Sequence, residues 1–229
     1  MHKVKRNKAP ETLIKKQKAT IITEYNKDDW KLTNKERIDL LEALCDMYSG
    51  CCAYCESSLN ITSSPRIDHF RPRNVFPQLT FEYNNLNYSC EMCNRNKSDL
   101  WDDAYFCPSE EDPEKHIKFQ GLLACKLDDR GQKMIDLLKL NEAKRLKLKE
   151  KTYEEMLNSI VNAKSIINLV DKSNKNTIEM AKIKISETIY FYNELSKNGS
   201  DYCTMIKHNF QNEIEKLEKE LKLLEKMEK

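Results

Sequence analysis

Two pairs of cysteines have the spacing of a metal site. Cys52 and Cys55 form one C-x-x-C pair, and Cys90 and Cys93 form a second. Each pair makes a turn whose two thiolates point at one ion, and two turns supply the four sulfur ligands of a closed structural zinc site. The spacing therefore predicts one structural Zn²⁺ per chain. The alternative is four unrelated buried thiols, and the adjacent Cys51 does not keep the two-residue spacing.

A short strand is predicted between the two pairs, and it ends in residues that can do chemistry. Residues 66–72 alternate polar and apolar side chains and include Asp68 and His69. Neighbouring side chains of a strand point to opposite faces. These two can therefore serve one site only if the strand ends there. The basic Arg71 and the following Pro72 are compatible with such an end.

A second strand and a helix are predicted to follow. Residues 84–90 form another short run, with Asn85-Leu86 at its centre, and residues 93–99 begin a helix. The Asp-His pair, the Asn-Leu and the C-N-x-x-K sequence lie within the span of the two C-x-x-C pairs or directly after it. Together they resemble the HNH nuclease family. The resemblance of motifs covers residues 52–97.

This resemblance implies a β-hairpin and a helix that enclose one catalytic metal ion. Asp68 and Asn94 would hold the ion, and their oxygen ligands suit Mg²⁺ or Mn²⁺. His69 would deprotonate the attacking water, because an imidazole is partly neutral at neutral pH. Asn85 would orient the His69 ring through backbone contacts. Many members of the family carry histidine at the position of Asn94, but the asparagine variant also occurs in active nucleases.

Three basic residues near these groups are predicted to contact phosphate. Arg95 and Lys97 lie in the first turns of the helix after Cys93. Backbone N–H groups at the start of a helix also favour anions. Arg71 is the third, two residues after His69.

The layout outside the motif resembles the small HNH subunits, called PtuB, of Septu antiphage systems and of their retron-associated versions. A basic segment with Arg6 and Pro10 precedes the motif, and residues 128–130 and 140–141 precede a long helical tail. The resemblance implies a nuclease effector in a hetero-oligomer with an ABC/SMC-like ATPase of the PtuA type. It favours DNA as the substrate, with a structured RNA such as a tRNA as the minority alternative.

Composition limits the other functions of the chain. The chain has 229 residues and a net charge of +2, so nucleic acid must be bound by local basic patches. The four glycines are too dispersed for a phosphate-cradling loop, which excludes a P-loop in this chain. Nine cysteines, an odd number without a signal peptide, argue against a disulfide framework. No apolar run approaches the roughly 18 residues of a membrane span. We therefore expect a cytoplasmic protein that does not bind a membrane.

The predicted fold is α+β and mainly α-helical, with three segments. Residues 1–50 form a basic arm and a helix, residues 51–107 form the zinc-stapled ββα-metal nuclease core, and residues 108–229 are helical and dock a partner. The arm is either solvated or bound to phosphate or a partner, and we expect Trp30 to pack in the core. The last helix carries an apolar seam, formed by Phe210, Ile214, Leu217, Leu221 and Leu224. The seam packs either in the protein's own core or against a partner helix.

Two other classes of protein fit part of this pattern. A stand-alone homing or restriction-type HNH endonuclease would usually carry a module that reads sequence, such as a helix-turn-helix, and we find none in the sequence. A non-catalytic zinc-stabilised interaction module would explain the cysteines. It would not explain the joint presence of Asp68, His69 and Asn94.

Overall fold

A computed structural model describes residues 1–59 and 65–227 of the chain. The chain divides into two compact units. The first contains Met1–Lys118 and Cys125–Leu140, and the second contains Phe119–Ala124 and the residues from Asn141 onward. The predicted α+β, mainly helical class is confirmed. No helix in the described ranges is both long and apolar enough to cross a membrane.

The first unit contains the cysteine pairs and the predicted hairpin. Strands β1 (Arg66–His69) and β2 (Leu86–Ser89) pair antiparallel, with Asp68 opposite Asn87 and His69 opposite Leu86. Strands β3 and β4 form a separate two-stranded sheet later in the chain. Strands β3 and β4 are Ile117–Gln120 and Leu123–Lys126. The helices of the first unit are α1 (Glu11–Ala19), α2 (Asn34–Met47), α3 (Glu91–Lys97) and α4 (Asp129–Leu138).

Helix α2 begins at the capping box that the sequence predicts. The Thr33 side chain accepts a hydrogen bond from the N–H of Glu36, and the Glu36 carboxylate accepts one from the N–H of Thr33. Such a cap stabilises a helix start by about 1 kcal/mol. Helix α2 packs against β2 through buried residues that include Leu40 and Leu44. Its start also fixes the path of the preceding segment, which carries Trp30.

The basic N-terminal segment is clamped to the first unit by Arg6. The Arg6 guanidinium donates to the carbonyl oxygens of Tyr83, Asn84 and Leu86, at 3.0, 2.8 and 2.5 Å. It also donates to Oδ1 of Asn87, at 3.0 Å. These bonds hold residues 1–10 and the start of β2 in one unit. The basic arm and the cysteine region both lie within the first unit.

We expect Arg6→Ala to lower the free energy of unfolding of the first unit by about 3 kcal/mol. A hydrogen bond with a charged partner contributes about 1.5–3 kcal/mol, and the several bonds of one side chain are not additive. Urea denaturation followed by tryptophan fluorescence measures the change. Lys5→Ala removes the same charge from an exposed neighbouring residue and is the matched control. Equal stability of the two variants would contradict the clamp.

The second unit is built on long helices that share an apolar core. They are α5 (Ala143–Asn168), α6 (Lys175–Ser196) and α7 (Cys203–Lys226), and α7 packs on both of the others. Four residues of the apolar seam of α7 lie inside this core, with Leu217 and Ile214 each 2% exposed, and Leu221 is half-buried. The seam therefore belongs to the unit's own core. The alternative that it forms a partner interface is wrong for these buried residues.

Leu217→Asp is expected to destabilise the helical unit by more than about 4 kcal/mol, because it places an unpaired carboxylate in an apolar core. Leu223→Asp on the same helix is the control, since Leu223 is 50% exposed. Circular dichroism during thermal unfolding measures both variants. A folded Leu217→Asp protein with an unchanged melting temperature would contradict the burial of the seam in the core.

Candidate active site and cysteine cluster

The four paired cysteines converge in the first unit. The sulfur atoms of Cys52, Cys55, Cys90 and Cys93 all lie within 4.8 Å of one another. Cys90 caps the start of α3, where its Sγ accepts a hydrogen bond of 3.3 Å from the N–H of Cys93. The Sγ of Cys52 accepts another of 3.3 Å from the N–H of Cys90. The sequence-predicted cluster is therefore present.

This donor set fits zinc. Four sulfur atoms in a closed group match the tetrahedral Cys₄ arrangement of structural zinc sites. Backbone N–H groups that donate to the sulfurs orient such ligands and spread their negative charge. No disulfide joins these four cysteines.

His69 is the last residue of β1, as a shared site with Asp68 requires. Its Nε2 lies 2.9 Å from the carbonyl oxygen of Thr80. Because a carbonyl only accepts hydrogen bonds, Nε2 carries the proton and Nδ1 keeps its lone pair. Desolvation lowers the pKa of His69 to about 4, against the raising effect of the Thr80 bond. His69 is therefore neutral at neutral pH, with Nδ1 able to accept a proton.

Two further residues form the surroundings of the His69 ring. The rings of Trp30 and His69 are nearly perpendicular, with 4.5 Å between their centres, and Trp30 also stacks on Phe81. The positive charge of Arg73 contributes to the lowered pKa of His69, after desolvation. The sequence placed Trp30 in the core, but it lines the site. The sequence could not distinguish these two locations, because a tryptophan side chain is common both in a protein core and in the wall of a binding site.

Asn85 fixes the backbone around His69. Its Oδ1 accepts from the N–H of Arg71 at 2.7 Å, and its Nδ2 donates to the carbonyl oxygens of Arg71 and Leu79 at 3.0 and 3.3 Å. Leu79 precedes Thr80, whose carbonyl holds the His69 ring. Asn85 thus joins the segment after His69 to the segment that orients its ring. These contacts are the kind that the predicted orienting role needs.

Asp68 lies in a buried polar network behind the hairpin. It is 3% exposed, and its Oδ1 lies 3.1 Å from Nζ of Lys97. Its Oδ2 accepts from the hydroxyl of Tyr54. Burial, and then the Asp68 charge, raise the pKa of Tyr54 well above its ordinary value, so the hydroxyl keeps its proton and donates. Tyr54 lies between Cys52 and Cys55. The cysteine cluster therefore positions a hydrogen-bond donor to Asp68.

Lys97 has protein partners for its charge. It is 1% exposed, and its Nζ donates to Asp68 at 3.1 Å and to the carbonyl oxygen of His69 at 2.6 Å. A buried carboxylate requires such a counter-charge. In this structure Lys97 therefore positions Asp68 and His69. Its predicted phosphate contact stays a prediction.

A cavity of about 480 Å³ opens beside these residues. Four of the predicted site residues line it, namely Asp68, His69, Asn94 and Arg95. Trp30 and Arg73, which were not predicted to belong to the site, line it as well. The structure thus brings Asp68, His69 and Asn94 to one cavity, with Arg95 exposed beside them. Arg71 lies elsewhere, because both of its terminal nitrogens bind the Glu110 carboxylate, at 2.8 and 2.9 Å.

The cavity wall also offers ligands for a hard divalent cation. Asp68 and Asn94, whose side chains carry oxygen donors, both line this cavity. Mg²⁺ is commonly bound by one or two such protein oxygens together with waters and substrate phosphate. A carboxylate has about four acceptor positions, so the bonds from Lys97 and Tyr54 leave room for an ion. The residues present therefore fit the predicted Mg²⁺ or Mn²⁺.

Comparison with known families decides what this site is. Residues 52–100 match a family model described as HNH endonuclease. Residues 52–100 therefore carry a domain similar to the HNH endonucleases. The domain spans both cysteine pairs, β1, β2 and α3. This similarity supports a nuclease activity.

The chain that carries this HNH domain is similar to two Septu proteins. It is 28% identical over 187 residues to the Septu protein PtuB of Bacillus thuringiensis, which covers 79% of this chain and 70% of that protein. It is 27% identical over 159 residues to the Septu protein PtuB of Bacillus mycoides (strain KBAB4), which covers 54% of this chain and 53% of that protein. The chain thus spans about half of the second relative. The predicted resemblance is confirmed.

Proposed function

We propose that the chain is a metal-dependent endonuclease that hydrolyses phosphodiester bonds as the effector subunit of an antiphage defence complex. The observation that supports it best is the convergence of Asp68, His69 and Asn94 on one cavity of the HNH domain. The similarity to Septu proteins supports the defence role. The cytoplasmic location expected from the sequence is part of this proposal.

The geometry of His69 supplies the general base. Nδ1 of the neutral ring takes a proton from a water molecule, and the resulting hydroxide attacks phosphorus as the bond to the leaving oxygen breaks. The carbonyl oxygen of Thr80 accepts from Nε2–H at 2.9 Å and stabilises the imidazolium that forms. Trp30 excludes water from one side of the ring. When bound by Asp68 and Asn94, Mg²⁺ or Mn²⁺ would stabilise charge on the phosphate and the leaving oxygen.

Zinc is the proposed occupant of the cysteine cluster, and its role is structural. The four sulfurs leave no open position for a substrate. The cluster nevertheless acts on the active site, because Tyr54 reaches from the first cysteine pair to Asp68. We therefore propose that zinc fixes the position of Asp68 as well as the fold around it.

The proposed partner is an ABC/SMC-like ATPase subunit, and the favoured substrate is DNA rather than RNA. Because the α7 seam is buried, a partner must bind elsewhere on residues 108–229. The exposed apolar residues of α6 are the candidates: Met180, Ile183 and Tyr190 are 61%, 52% and 68% exposed. They recur at helical spacing on α6, which suits a groove or a facing helix.

Co-expression with an ABC/SMC-like ATPase of the PtuA type tests this function. We expect the two chains to co-purify. The complex should cut linear duplex DNA, single-stranded DNA or tRNA when Mg²⁺ is present and stop when it is chelated. Ile183→Asp should abolish binding of the ATPase and keep the fold. Leu223→Asp on α7 should keep both the fold and the binding of the ATPase. A zinc-loaded complex that cuts none of the three substrates would favour the non-catalytic zinc module. Full cleavage by the chain alone would favour a stand-alone nuclease.

A further inference from the structure

Arg73 brings a positive charge into the cavity that the mechanism above does not use. It lines the cavity together with His69 and Asn94. Its Nη1 atom is buried and has no hydrogen-bond partner among residues 1–59 and 65–227. Buried donors without a partner are uncommon in folded proteins, because such a donor loses its bonds to water. This nitrogen is therefore available to an acceptor from outside the chain.

The local structure holds Arg73 in place before any ligand binds. The carbonyl oxygen of Pro72 accepts from the N–H groups of Val75 and Phe76, at 3.1 and 2.8 Å, and closes a turn that contains Arg73. The guanidinium carbon lies 5.8 Å from the ring centre of Tyr25. Stacking on an aromatic face leaves the N–H groups at the edge of a guanidinium free to bind.

Two other basic side chains near the hairpin are paired with carboxylates. Lys97 is paired with Asp68 at 3.1 Å, and Arg71 is paired with Glu110 at 2.8 Å. Arg73 forms no ion pair with a carboxylate in the part of the chain that the structure describes. Because Arg73 lines the cavity, an anionic ligand bound there would neutralise this charge.

We propose that Arg73 binds a non-bridging oxygen of the substrate phosphodiester in the His69 cavity. This inference rests on the proposed nuclease function and names a residue that contacts its substrate. A guanidinium can donate two parallel N–H groups to one phosphate, which fixes orientation as well as position. Arg73 thereby holds the phosphodiester beside the general base. It does this without a role in the structural contacts of the hairpin.

Nucleic-acid binding by the full-length chain tests this assignment separately from cleavage. The His69→Ala background keeps the probes intact, and the probes are fluorescein-labelled duplex DNA, single-stranded DNA and tRNA. Dissociation constants are measured by anisotropy over a series of salt concentrations. Arg73→Gln is compared with Arg37→Gln, which removes the same charge from an exposed position on α2. Arg73→Lys keeps the charge, and zinc content and circular dichroism verify the fold of each variant.

We expect Arg73→Gln to weaken binding about tenfold or more and to reduce the slope of log affinity against log salt by about one. Arg73→Lys should keep the slope and lose part of the affinity, because lysine lacks the paired donors. Arg37→Gln should change neither. Equal affinity and slope for the Arg73→Gln and Arg37→Gln proteins would overturn the assignment of Arg73 alone. A parent protein that binds none of the probes would overturn the nucleic-acid substrate as well.

Discussion

Cys52→Ser is expected to unfold the first unit rather than only to slow the enzyme. Cys52 is 2% exposed, and its sulfur lies in the four-cysteine cluster. Structural zinc sites contribute apparent binding free energies of about 10–16 kcal/mol in small peptides, whereas whole domains are stable by only about 5–15 kcal/mol. Loss of one ligand therefore removes a contribution comparable to the stability of the unit. Metal analysis and circular dichroism measure the zinc content and the fold.

The matched control is Cys45→Ser, the same exchange at a half-buried cysteine outside the cluster. It should keep one zinc per chain and a folded first unit. The helical second unit should remain folded in both variants, because its core is built from α5, α6 and α7. Soluble wild-type protein that cuts nucleic acid without zinc would contradict the structural role of the metal. So would a Cys52→Ser protein with wild-type melting.

His69→Ala is expected to slow cleavage by about 10²–10⁴-fold, the usual effect of removing a general base. The variant should keep zinc, fold and ATPase binding, because His69 contributes no ligand to the cysteine cluster. Single-turnover cleavage at saturating enzyme measures the chemical step directly. Asp68→Ala and Asn94→Ala should also lose activity, with partial recovery at high Mg²⁺ or Mn²⁺.

The control for His69→Ala is His208→Ala in the helical unit. His208 accepts a hydrogen bond from the N–H of Phe119 and lies outside the lining of the active-site cavity. It should leave the rate of the chemical step unchanged. Undiminished cleavage by the His69→Ala protein would place the base elsewhere. Equal losses in both histidine variants would indicate damage to the fold.

The sequence predicted the parts of the site that depend on local spacing. The C-x-x-C pairs led to the cysteine cluster, and the capping box led to the start of α2. The strand that carries Asp68 and His69 ends at His69. In each case a few consecutive residues determine the feature, because turn geometry, capping and strand alternation are local.

The contacts that join distant segments were not predictable from such patterns. Arg6 was expected in a basic arm, but its guanidinium donates a hydrogen bond to the carbonyl oxygen of Leu86 at the start of β2. Trp30 was expected in the core and lines the cavity instead. Tyr54 gave no sign of its bond to Asp68. Each of these contacts joins residues that are far apart in the sequence. No fixed spacing between the residues marks such a contact, so the sequence pattern does not reveal it.

The same limit applies to charged residues and to the seam of α7. The motif suggested phosphate contacts for Lys97 and Arg71, yet the structure pairs both with carboxylates. The heptad-like spacing of the seam predicted a stripe that packs on another element, and four of its five residues are buried. Periodicity states that a helix face is covered but does not state which element covers it.

Anomalous diffraction from crystals of the full-length chain grown with Mn²⁺ tests the central claim most directly. Data collected at the zinc and manganese absorption edges distinguish the two metals by position. We expect zinc at the centre of Cys52, Cys55, Cys90 and Cys93, and manganese against the oxygen atoms of Asp68 and Asn94 in the His69 cavity. Zinc in the cysteine cluster with no manganese bound at Asp68 and Asn94 would contradict a metal-dependent nuclease site in this cavity.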